Sequence, residues 1–311
     1  MGGKCCHDSR KDGPASAVKD TSRKSAHNAF ANQNKRAFSI GYKSQGDDAD
    51  KFDQAFAKVA SPENLTAANL KAFVDLLSSE QAIDSFEEPM HPWAKDPATV
   101  GALAGTQLAI LASAEDSKKE GEASVKNAIR EAGAIKPLVE FLKSKEEDRQ
   151  QIGVVALSFL TADCPENTQE AYNNGALPHL KGFCDSPVAG MRAASSTTLR
   201  NICVEDPKYR AAFVKLGGIE DLVKQLDTQE DKTLKHADVQ LEAILNLQDM
   251  IEEAGDNPEG TLVPEYAELA IKAGAEKLLE ALTKNEDSEV ATSASEVLAA
   301  LESFKEEQGT K

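Results

Sequence analysis

One segment of the chain decides the fold: Leu216-Gly217-Gly218-Ile219-Glu220-Asp221-Leu222-Val223. It combines a glycine, a small residue and a short apolar stretch that suits a helix. Similar segments occur at 132–139, 174–180 and 273–279. Glycine supplies the left-handed backbone conformation that lets one short helix turn sharply into the next. The pattern therefore predicts a series of helices joined by glycine turns.

The four segments recur at a regular spacing. The intervals from Gly133 to Gly175 and from Gly175 to Gly217 are each 42 residues, and the interval from Gly217 to Gly274 is 57. A period of about 40–47 residues with helices is typical of armadillo and HEAT repeats. The longer interval corresponds to one period plus a 15-residue insertion, which we place near 252–266.

A second, longer helix follows each glycine segment. It is predicted at 151–160, 193–202 and 240–247, with similar stretches at 103–111 and 294–301. Small residues lie on one side of these helices and Leu, Ile or Val on the other, as expected where helices stack closely. Each repeat buries its apolar face only against its neighbours, so the repeats should form one cooperative solenoid.

The predicted fold class is therefore all-α, an armadillo-type right-handed superhelical solenoid preceded by a disordered tail. We assign residues 49–311 to the solenoid and residues 1–48 to a basic, acylated, flexible tail. Residues 7–48 are rich in Ser, Lys, Asn, Gly and Asp and contain few apolar residues, a composition that favours disorder. The alternative is that Phe30, Phe38, Ile40 and Tyr42 form a short helix that packs back onto the body or binds a partner.

Charge is distributed unevenly along the chain. Residues 1–45 contain nine Lys and Arg against three Asp, whereas the remainder contains 26 basic and 49 acidic residues. An acidic body repels the phosphates of nucleic acids, so nucleic acid is excluded as a partner. Any electrostatic affinity for a membrane should come from the basic tail.

The sequence lacks the patterns of an enzyme or a metal site. Five cysteines occur without a Cys-x-x-Cys pair or a secretory signal, which indicates a reducing, cytosolic compartment without disulfides or structural zinc. No phosphate-binding glycine loop, His-Glu-x-x-His motif or ordered Ser, His and Asp set is present. We therefore expect no catalytic activity, no cofactor and no small-molecule substrate.

The first six residues, Met1-Gly2-Gly3-Lys4-Cys5-Cys6, predict lipidation. Removal of the initiator Met exposes the amine of Gly2 for N-myristoylation, although Cys6 replaces the usual Ser or Thr. A single myristoyl chain binds membrane reversibly, so a second signal is needed. S-palmitoylation of Cys5 or Cys6 would supply it. The alternative is that Cys5, Cys6 and His7 are stray thiols or a weak metal site.

The form Gly-Gly-Ile-x-x-Leu-Val at 217–223 and Leu-x-Asn-Ile at 199–202 resembles the armadillo family. In that family the long third helix of each repeat lines a concave groove, where an Asn binds the backbone of an extended peptide. The resemblance implies that these helices form a protein-binding groove. The alternative is that the same residues lie on an ordinary solvated helix face. The candidate groove residues are Phe159, Asp163, Thr197, Arg200, Asn201, Glu205, Glu242 and Asn246.

The acylation motif, the basic tail and the repeats together resemble the apicomplexan armadillo-repeats-only family and, more loosely, the vacuolar armadillo proteins of yeast. The segments 91–93 and 99–103 add to the first resemblance. It implies a non-enzymatic, membrane-anchored adaptor on the cytosolic face of the rhoptry, a secretory organelle. Such a scaffold would position the organelle at the cell apex by recruiting a myosin motor, a cyclase and an adaptor. The alternative function is an armadillo-type nucleotide-exchange factor for a heat-shock chaperone.

Overall fold

The computed structural model describes residues 41–87, 94–114, 124–227, 236–252 and 261–309, with side chains from residue 240 onward in the fourth range. Its described secondary structure comprises fifteen α-helices, one 3-10 turn and two short strands, which confirms the all-α class. The helices are α1 (Asp47–Lys58), α2 (Ala67–Leu76), α3 (Val100–Ser113), α4 (Val125–Glu131), α5 (Ile135–Leu142), α6 (Glu147–Thr161), α7 (Pro165–Asn173), α8 (Ala176–Phe183), α9 (Ala189–Glu205), α10 (Pro207–Lys215), α11 (Gly218–Gln225), α12 (His236–Ile251), α13 (Pro264–Lys272), α14 (Ala275–Leu282) and α15 (Ser288–Gly309).

The helices are arranged in repeats of three. Four complete repeats, α4–α6, α7–α9, α10–α12 and α13–α15, follow an N-terminal unit that ends in α3. The third helices α3, α6, α9, α12 and α15 pack against one another in chain order, whereas the first and second helices of successive repeats touch far less. This difference places the third helices on the inner, concave side of the solenoid. The predicted solenoid is therefore confirmed.

Local sequence signals determine where the helices start. Pro165, Pro207 and Pro264 occupy the first position of the first helices α7, α10 and α13. Proline is tolerated there because the first turn of a helix leaves its N–H groups without partners inside the helix. Thr99 caps α3 by accepting a hydrogen bond from the N–H of Ala102 at 3.2 Å. These four helices thus begin where the sequence leaves unpaired N–H donors absent or satisfied.

The repeated glycines adopt the conformation that the sequence predicts. The φ angles of Gly133, Gly175, Gly217 and Gly274 are 89°, 82°, 78° and 91°. The last three stand immediately before the second helices α8, α11 and α14. Left-handed backbone is costly for residues with a Cβ, so these positions favour glycine.

Gly175→Ala is expected to lower the free energy of unfolding by about 1–2 kcal/mol. A Cβ at Gly175 would meet no atom within 4 Å, so the cost comes from the backbone alone. Gly182, within α8, is equally open but has no positive φ. Gly182→Ala should raise stability by up to about 1 kcal/mol because it reduces the conformational freedom of the unfolded chain. Urea unfolding followed by circular dichroism measures the free energy of unfolding of both variants. If the two substitutions change it equally, the cost at Gly175 does not come from its backbone conformation.

The predicted 15-residue insertion is divided between two connections. Five residues (184–188) separate α8 from α9, but ten (226–235) separate α11 from α12. One residue (206) separates α9 from α10, but twelve (252–263) separate α12 from α13. Because α12 keeps the length that stacking on α9 requires, the additional residues lie in the connections. The prediction of one insertion near 252–266 is corrected accordingly.

The described fold begins before the predicted boundary between residues 48 and 49, which lies inside α1. Strand β1 (Tyr42–Lys43) pairs antiparallel with strand β2 (Ser85–Phe86). The Tyr42 ring meets the Phe52 ring edge-on at 5.7 Å between centroids, and its hydroxyl donates to Asp53 at 2.8 Å. Pairing with Phe86, 44 positions away, attaches Tyr42 to the solenoid.

Buried apolar residues form two clusters instead of one. The first extends from Ala49 to Phe213 with additions from α11 and α12, and the second extends from Ile219 to Phe304. Between them, α9 presents buried hydroxyl groups, and Ser196 Oγ donates to Gln225 Oε1 at 2.7 Å. Polar contacts therefore supply part of the interface between the α7–α9 and α10–α12 repeats.

Across the part of the chain that the structure describes, no helix has both the length and the apolar character needed to cross a membrane.

Candidate protein-binding surface

The candidate surface is built by the third helices α6, α9 and α12. Phe159, Asn201 and Asn246 occupy equivalent positions on the three helices, within the sequences Leu-Ser-Phe-Leu, Leu-Arg-Asn-Ile and Ile-Leu-Asn-Leu. Phe159 and Asn246 are buried, and Asn201 is half-buried. The side chains around these positions make contacts that cross from one helix to the next.

One such contact joins Thr197 on α9 to Glu242 on α12. Thr197 Oγ1 lies 3.2 Å from Glu242 Oε2, to which it can donate, and 3.1 Å from the carbonyl oxygen of Ala193. Glu242 is buried. A buried carboxylate also needs compensating positive charge, and the side chains of its own helix from 240 to 252 include no Lys or Arg.

Arg200 supplies positive charge to this surface. Its Nε donates to Asp249 Oδ2 on α12, and the two side chains are only 7% and 12% exposed. Burial lowers the pKa of Arg200, but the charges of Asp249, Glu242 and Asp163 outweigh that effect and raise it overall. Arg200 therefore remains charged and holds several carboxylates near one another.

Asn201 is engaged within the solenoid. Its Nδ2 donates to the carbonyl oxygen of Ser158 at 3.2 Å and to Thr161 Oγ1 at 3.1 Å, both on α6. The resemblance to the armadillo family implies a peptide contact for this residue. The structure instead places its amide nitrogen in a link between α9 and α6.

Asn246 has a different environment. Its side chain is 1% exposed, and neither its amide oxygen nor its amide nitrogen has a hydrogen-bond partner among the described residues. A buried polar group without a partner costs about 1–3 kcal/mol, and such groups are rare in native structures. Asn246 therefore keeps one acceptor and two donors unmatched below the surface.

Exposed carboxylates border this part of the surface. Asp163 follows α6, Glu205 ends α9, and both are exposed. Asp163 is the one non-glycine residue with a positive φ, at 53°, in the described ranges. Asp tolerates that conformation better than most residues.

We define the acidic stripe as Asp163, Glu205, Glu242 and Asp249. Sequence reasoning identified the first three but missed Asp249. Asp249 stands seven residues after Glu242, two turns along the same helix face, and that spacing is the signal that would have identified it. The structure thus groups Asp163, Glu242 and Asp249 around Arg200.

Other reactive groups in the described residues are poorly placed for chemistry. Cys164, Cys184 and Cys203 are free and buried. Burial raises the pKa of Cys184 to about 12, which keeps its thiol protonated and unreactive. Within the described ranges, no group of three or more His, Cys, Asp or Glu side chains is arranged to hold a metal ion. The predicted lipidation residues Gly2, Cys5 and Cys6 lie outside the described residues.

Comparison with known proteins gives a clear structural result. No protein-family model and no curated protein sequence matches the chain. The solved structure of the armadillo repeats only protein from Plasmodium falciparum is 38% identical, with a TM-score of 0.69, covering 83% of this chain and 99% of that chain.

Two further structures share the fold at lower identity. A designed armadillo repeat protein in complex with the peptide (KR)4 is 22% identical, with a TM-score of 0.59, covering 81% of this chain and 90% of that chain. A structure from work on the interaction between cadherin and beta-catenin is 14% identical, with a TM-score of 0.58 and coverages of 75% and 37%.

Proposed function

The chain belongs to the armadillo-repeats-only family, and we propose that it is a non-enzymatic scaffold attached to a membrane through its N-terminus. In this proposal, protein partners bind the surface formed by α6, α9 and α12. The acidic stripe selects partner segments that carry Lys or Arg, because complementary charge accelerates encounter and excludes acidic competitors.

The observation that carries the proposal is the unpartnered amide of Asn246. A segment bound in extended conformation presents backbone N–H and C=O groups along its length. One Asn side chain offers both a donor and an acceptor, so it can pair with both kinds of backbone group. Binding would then recover the free energy lost by burying Asn246 without partners. Because the Asn246 side chain is 1% exposed, the side chains that cover it must move aside for a segment to reach it.

Glu205→Lys is expected to reduce partner binding by about fivefold or more. Reversing an exposed charge removes an attraction worth up to about 1 kcal/mol and adds a repulsion of similar size. Glu205 is exposed at the end of α9, so the fold should be unaffected. Proximity labelling in the native cell, with the full chain at equal expression, measures the change.

The matched control for this experiment is Glu280→Lys, which makes the same charge change at an exposed position on the second helix α14. Both variants should have the melting temperature of the wild type. If Glu205→Lys and Glu280→Lys label the same proteins to the same extent, the α6, α9 and α12 surface is not where partners bind.

Membrane attachment is the second part of the proposal. Myristate on Gly2 brings Cys5 and Cys6 to the bilayer surface, where membrane-bound acyltransferases act. Each buried CH₂ of a palmitoyl chain adds about 0.8 kcal/mol, and each nearby Lys or Arg adds about 1 kcal/mol on an anionic surface. Two acyl chains and a basic tail make a lasting attachment.

The family relationship supports a more specific proposal. The chain acts on the cytosolic face of the rhoptry and positions this organelle at the cell apex. It does so by recruiting a myosin motor, a cyclase and an adaptor. The proximity-labelling experiment tests this directly, since these classes of protein should appear with wild type and decline with Glu205→Lys.

Gly2→Ala is expected to lower the ratio of membrane-bound to soluble protein by more than about tenfold. Without myristate the protein does not reach the acyltransferases, so both the myristoyl and the palmitoyl group are absent. The basic tail alone binds the membrane weakly. Fractionation with labelled myristate and palmitate measures the effect, with Gly3→Ala as the control. A wild type that incorporates no label would contradict the lipid-anchor proposal.

A further inference from the structure

We propose that Arg200 and Asp249 are positioning residues for the surface on α6, α9 and α12. Their ion pair holds α12 at an offset from α9 that prevents Asn246 from pairing with α9. The side chain on which the proposed function depends thus stays unmatched because the ion pair keeps it so. This inference deepens the proposed function and rests on it only for the role of Asn246 in partner binding.

The preceding pair of third helices provides a reference arrangement. Asn201 on α9 donates to the carbonyl oxygen of Ser158 at 3.2 Å and to the hydroxyl of Thr161 at 3.1 Å, both on α6. Asn246 occupies the equivalent position on α12. If α12 packed on α9 as α9 packs on α6, the amide nitrogen of Asn246 would lie beside the carbonyl oxygen of Arg200.

An acceptor for Asn246 is present on α9. The position equivalent to Ser158 is Arg200, whose carbonyl oxygen has two lone pairs and can accept a second hydrogen bond besides the one within its helix. The position equivalent to Thr161 is Cys203, a buried thiol that accepts hydrogen bonds weakly. One acceptor is therefore weakened and the other remains. A different offset between the helices explains why neither polar atom of Asn246 has a partner among the described residues.

The contact that sets the offset of α12 has no counterpart between α6 and α9. Arg200 Nε donates to Asp249 Oδ2, and the two side chains are almost completely buried. The equivalent positions one repeat earlier are Ser158 and Val204, which cannot form an ion pair. Two buried charges must keep a close and well-aligned contact to offset the cost of leaving water. The pair therefore fixes where α12 lies on α9.

A second contact favours the same offset but is weaker. Thr197 Oγ1 lies 3.2 Å from Glu242 Oε2. The equivalent pair between α6 and α9 is Val155 and Thr197, which lacks a carboxylate. The hydroxyl of Thr197 also lies 3.1 Å from the carbonyl oxygen of Ala193, so its single proton is shared between two acceptors. The main positioning role therefore belongs to Arg200 and Asp249.

Loss of the ion pair would let α12 move to the arrangement of the preceding interface. Asn246 would then donate to the carbonyl oxygen of Arg200, and the cost of burying its amide nitrogen would be recovered within the solenoid. A partner segment would find Asn246 engaged, as Asn201 is, and would bind less tightly. The ion pair thus keeps an unfavourable side chain ready for binding, as supporting residues do at other functional sites.

A double-mutant cycle on the full chain tests this role without any partner. In the wild type, Asn246→Leu removes an unmatched group and should raise the folding equilibrium constant about fivefold or more. In the Asp249→Ala background, the same substitution removes a bonded group and should lower that constant about fivefold or more. Urea unfolding measures all four proteins. A residue that only stabilises the fold would not reverse the sign, because independent effects add.

Two further variants keep the cycle decisive. Glu276→Ala breaks the more exposed ion pair with Lys305 and should leave the effect of Asn246→Leu unchanged. Asp249→Asn keeps the shape of the side chain but removes its charge, so it replaces Asp249→Ala if that variant does not fold. It should reduce the gain from Asn246→Leu about twofold or more. An effect of Asn246→Leu that is the same in every background would overturn the positioning role.

A distance measurement checks that α12 moves. Spin labels at Glu140→Cys on α5 and Glu280→Cys on α14 lie on opposite sides of the α9 and α12 interface, at exposed positions. In the full, unacylated chain with its two N-terminal cysteines replaced by Ser, Asp249→Ala should shift the distance between the labels by about 2 Å or more, because small displacements at an interface move whole packed bodies. Labels at Lys71→Cys and Glu140→Cys, on one side of the interface, should not shift. An unchanged distance in the first pair would contradict the proposed movement.

The positioning role and the proposed function can fail separately. If the cycle is additive and proximity labelling still declines in Glu205→Lys, the ion pair has no positioning role and the partner surface stands. If the sign reverses but Glu205→Lys and Glu280→Lys label the same proteins to the same extent, the ion pair positions Asn246 on a surface where partners do not bind.

Discussion

Asp249→Ala is expected to lower the free energy of unfolding by about 3 kcal/mol or more. The substitution leaves Arg200, which is only 7% exposed, without its ion pair. A buried charge that loses its partner retains the whole cost of leaving water, and this cost is several times the value of a surface ion pair. Glu242 and Asp163 still lie near Arg200, so the loss should fall at the lower end of the range of about 3–5 kcal/mol for such pairs.

Glu276→Ala is the matched control for this prediction. It removes an ion pair with Lys305 at 2.8 Å, whose side chains are 27% and 53% exposed, and should cost less than about 1 kcal/mol. Urea unfolding measures both. Equal losses for Asp249→Ala and Glu276→Ala would contradict a buried pair.

The periodic part of the fold was predictable because its cause is local. Glycines at Gly133, Gly175 and Gly217 repeat at a fixed interval, and each needs only its own backbone conformation to mark a turn. The sequence could not show that the additional residues are divided between two connections, because the interval from Gly217 to Gly274 gives only their total number. Only the boundaries of α11, α12 and α13 show where the additional residues lie.

The start of the fold shows where composition fails. The segment before residue 49 is polar, and polarity predicts a tail. Tyr42 is nevertheless held by Phe52 and Asp53 on the helix that follows it and by the pairing with β2, which is distant in sequence. A single aromatic residue with one distant strand to pair with does not produce a periodic signal.

The candidate surface was predictable in position but not in detail. The sequence motif around Asn201 and Asn246 predicted that the two residues occupy equivalent positions on successive third helices. Which amide is engaged depends on how far α6, α9 and α12 are offset from one another, and that offset is set by packing. The same offset brings Arg200 to Asp249, a contact across helices that no spacing within α9 alone reveals.

The two asparagines therefore have opposite energetic roles, and Asn246→Leu is expected to raise the free energy of unfolding by about 1–3 kcal/mol. Asn and Leu branch at the same carbon, and the substitution removes a buried polar group that has no partner among the described residues. Asn201→Leu, the matched control, should lower stability by about 1–3 kcal/mol, since it deletes the donor to Ser158 and Thr161. Urea unfolding of the two variants gives the comparison.

Stability and binding should move in opposite directions in Asn246→Leu. The variant lacks the donor and acceptor proposed to meet the backbone of a bound segment, so the proximity labelling of protein partners proposed above should fall by up to about tenfold, as expected for one or two lost hydrogen bonds. A gain in stability together with a loss of binding is typical of sites where function requires a residue that destabilises the fold. A loss of stability in Asn246→Leu as large as in Asn201→Leu would mean that Asn246 is already satisfied in the free protein, for instance by a buried water. The surface on α6, α9 and α12 would then lose the observation that distinguishes it from any other acidic face.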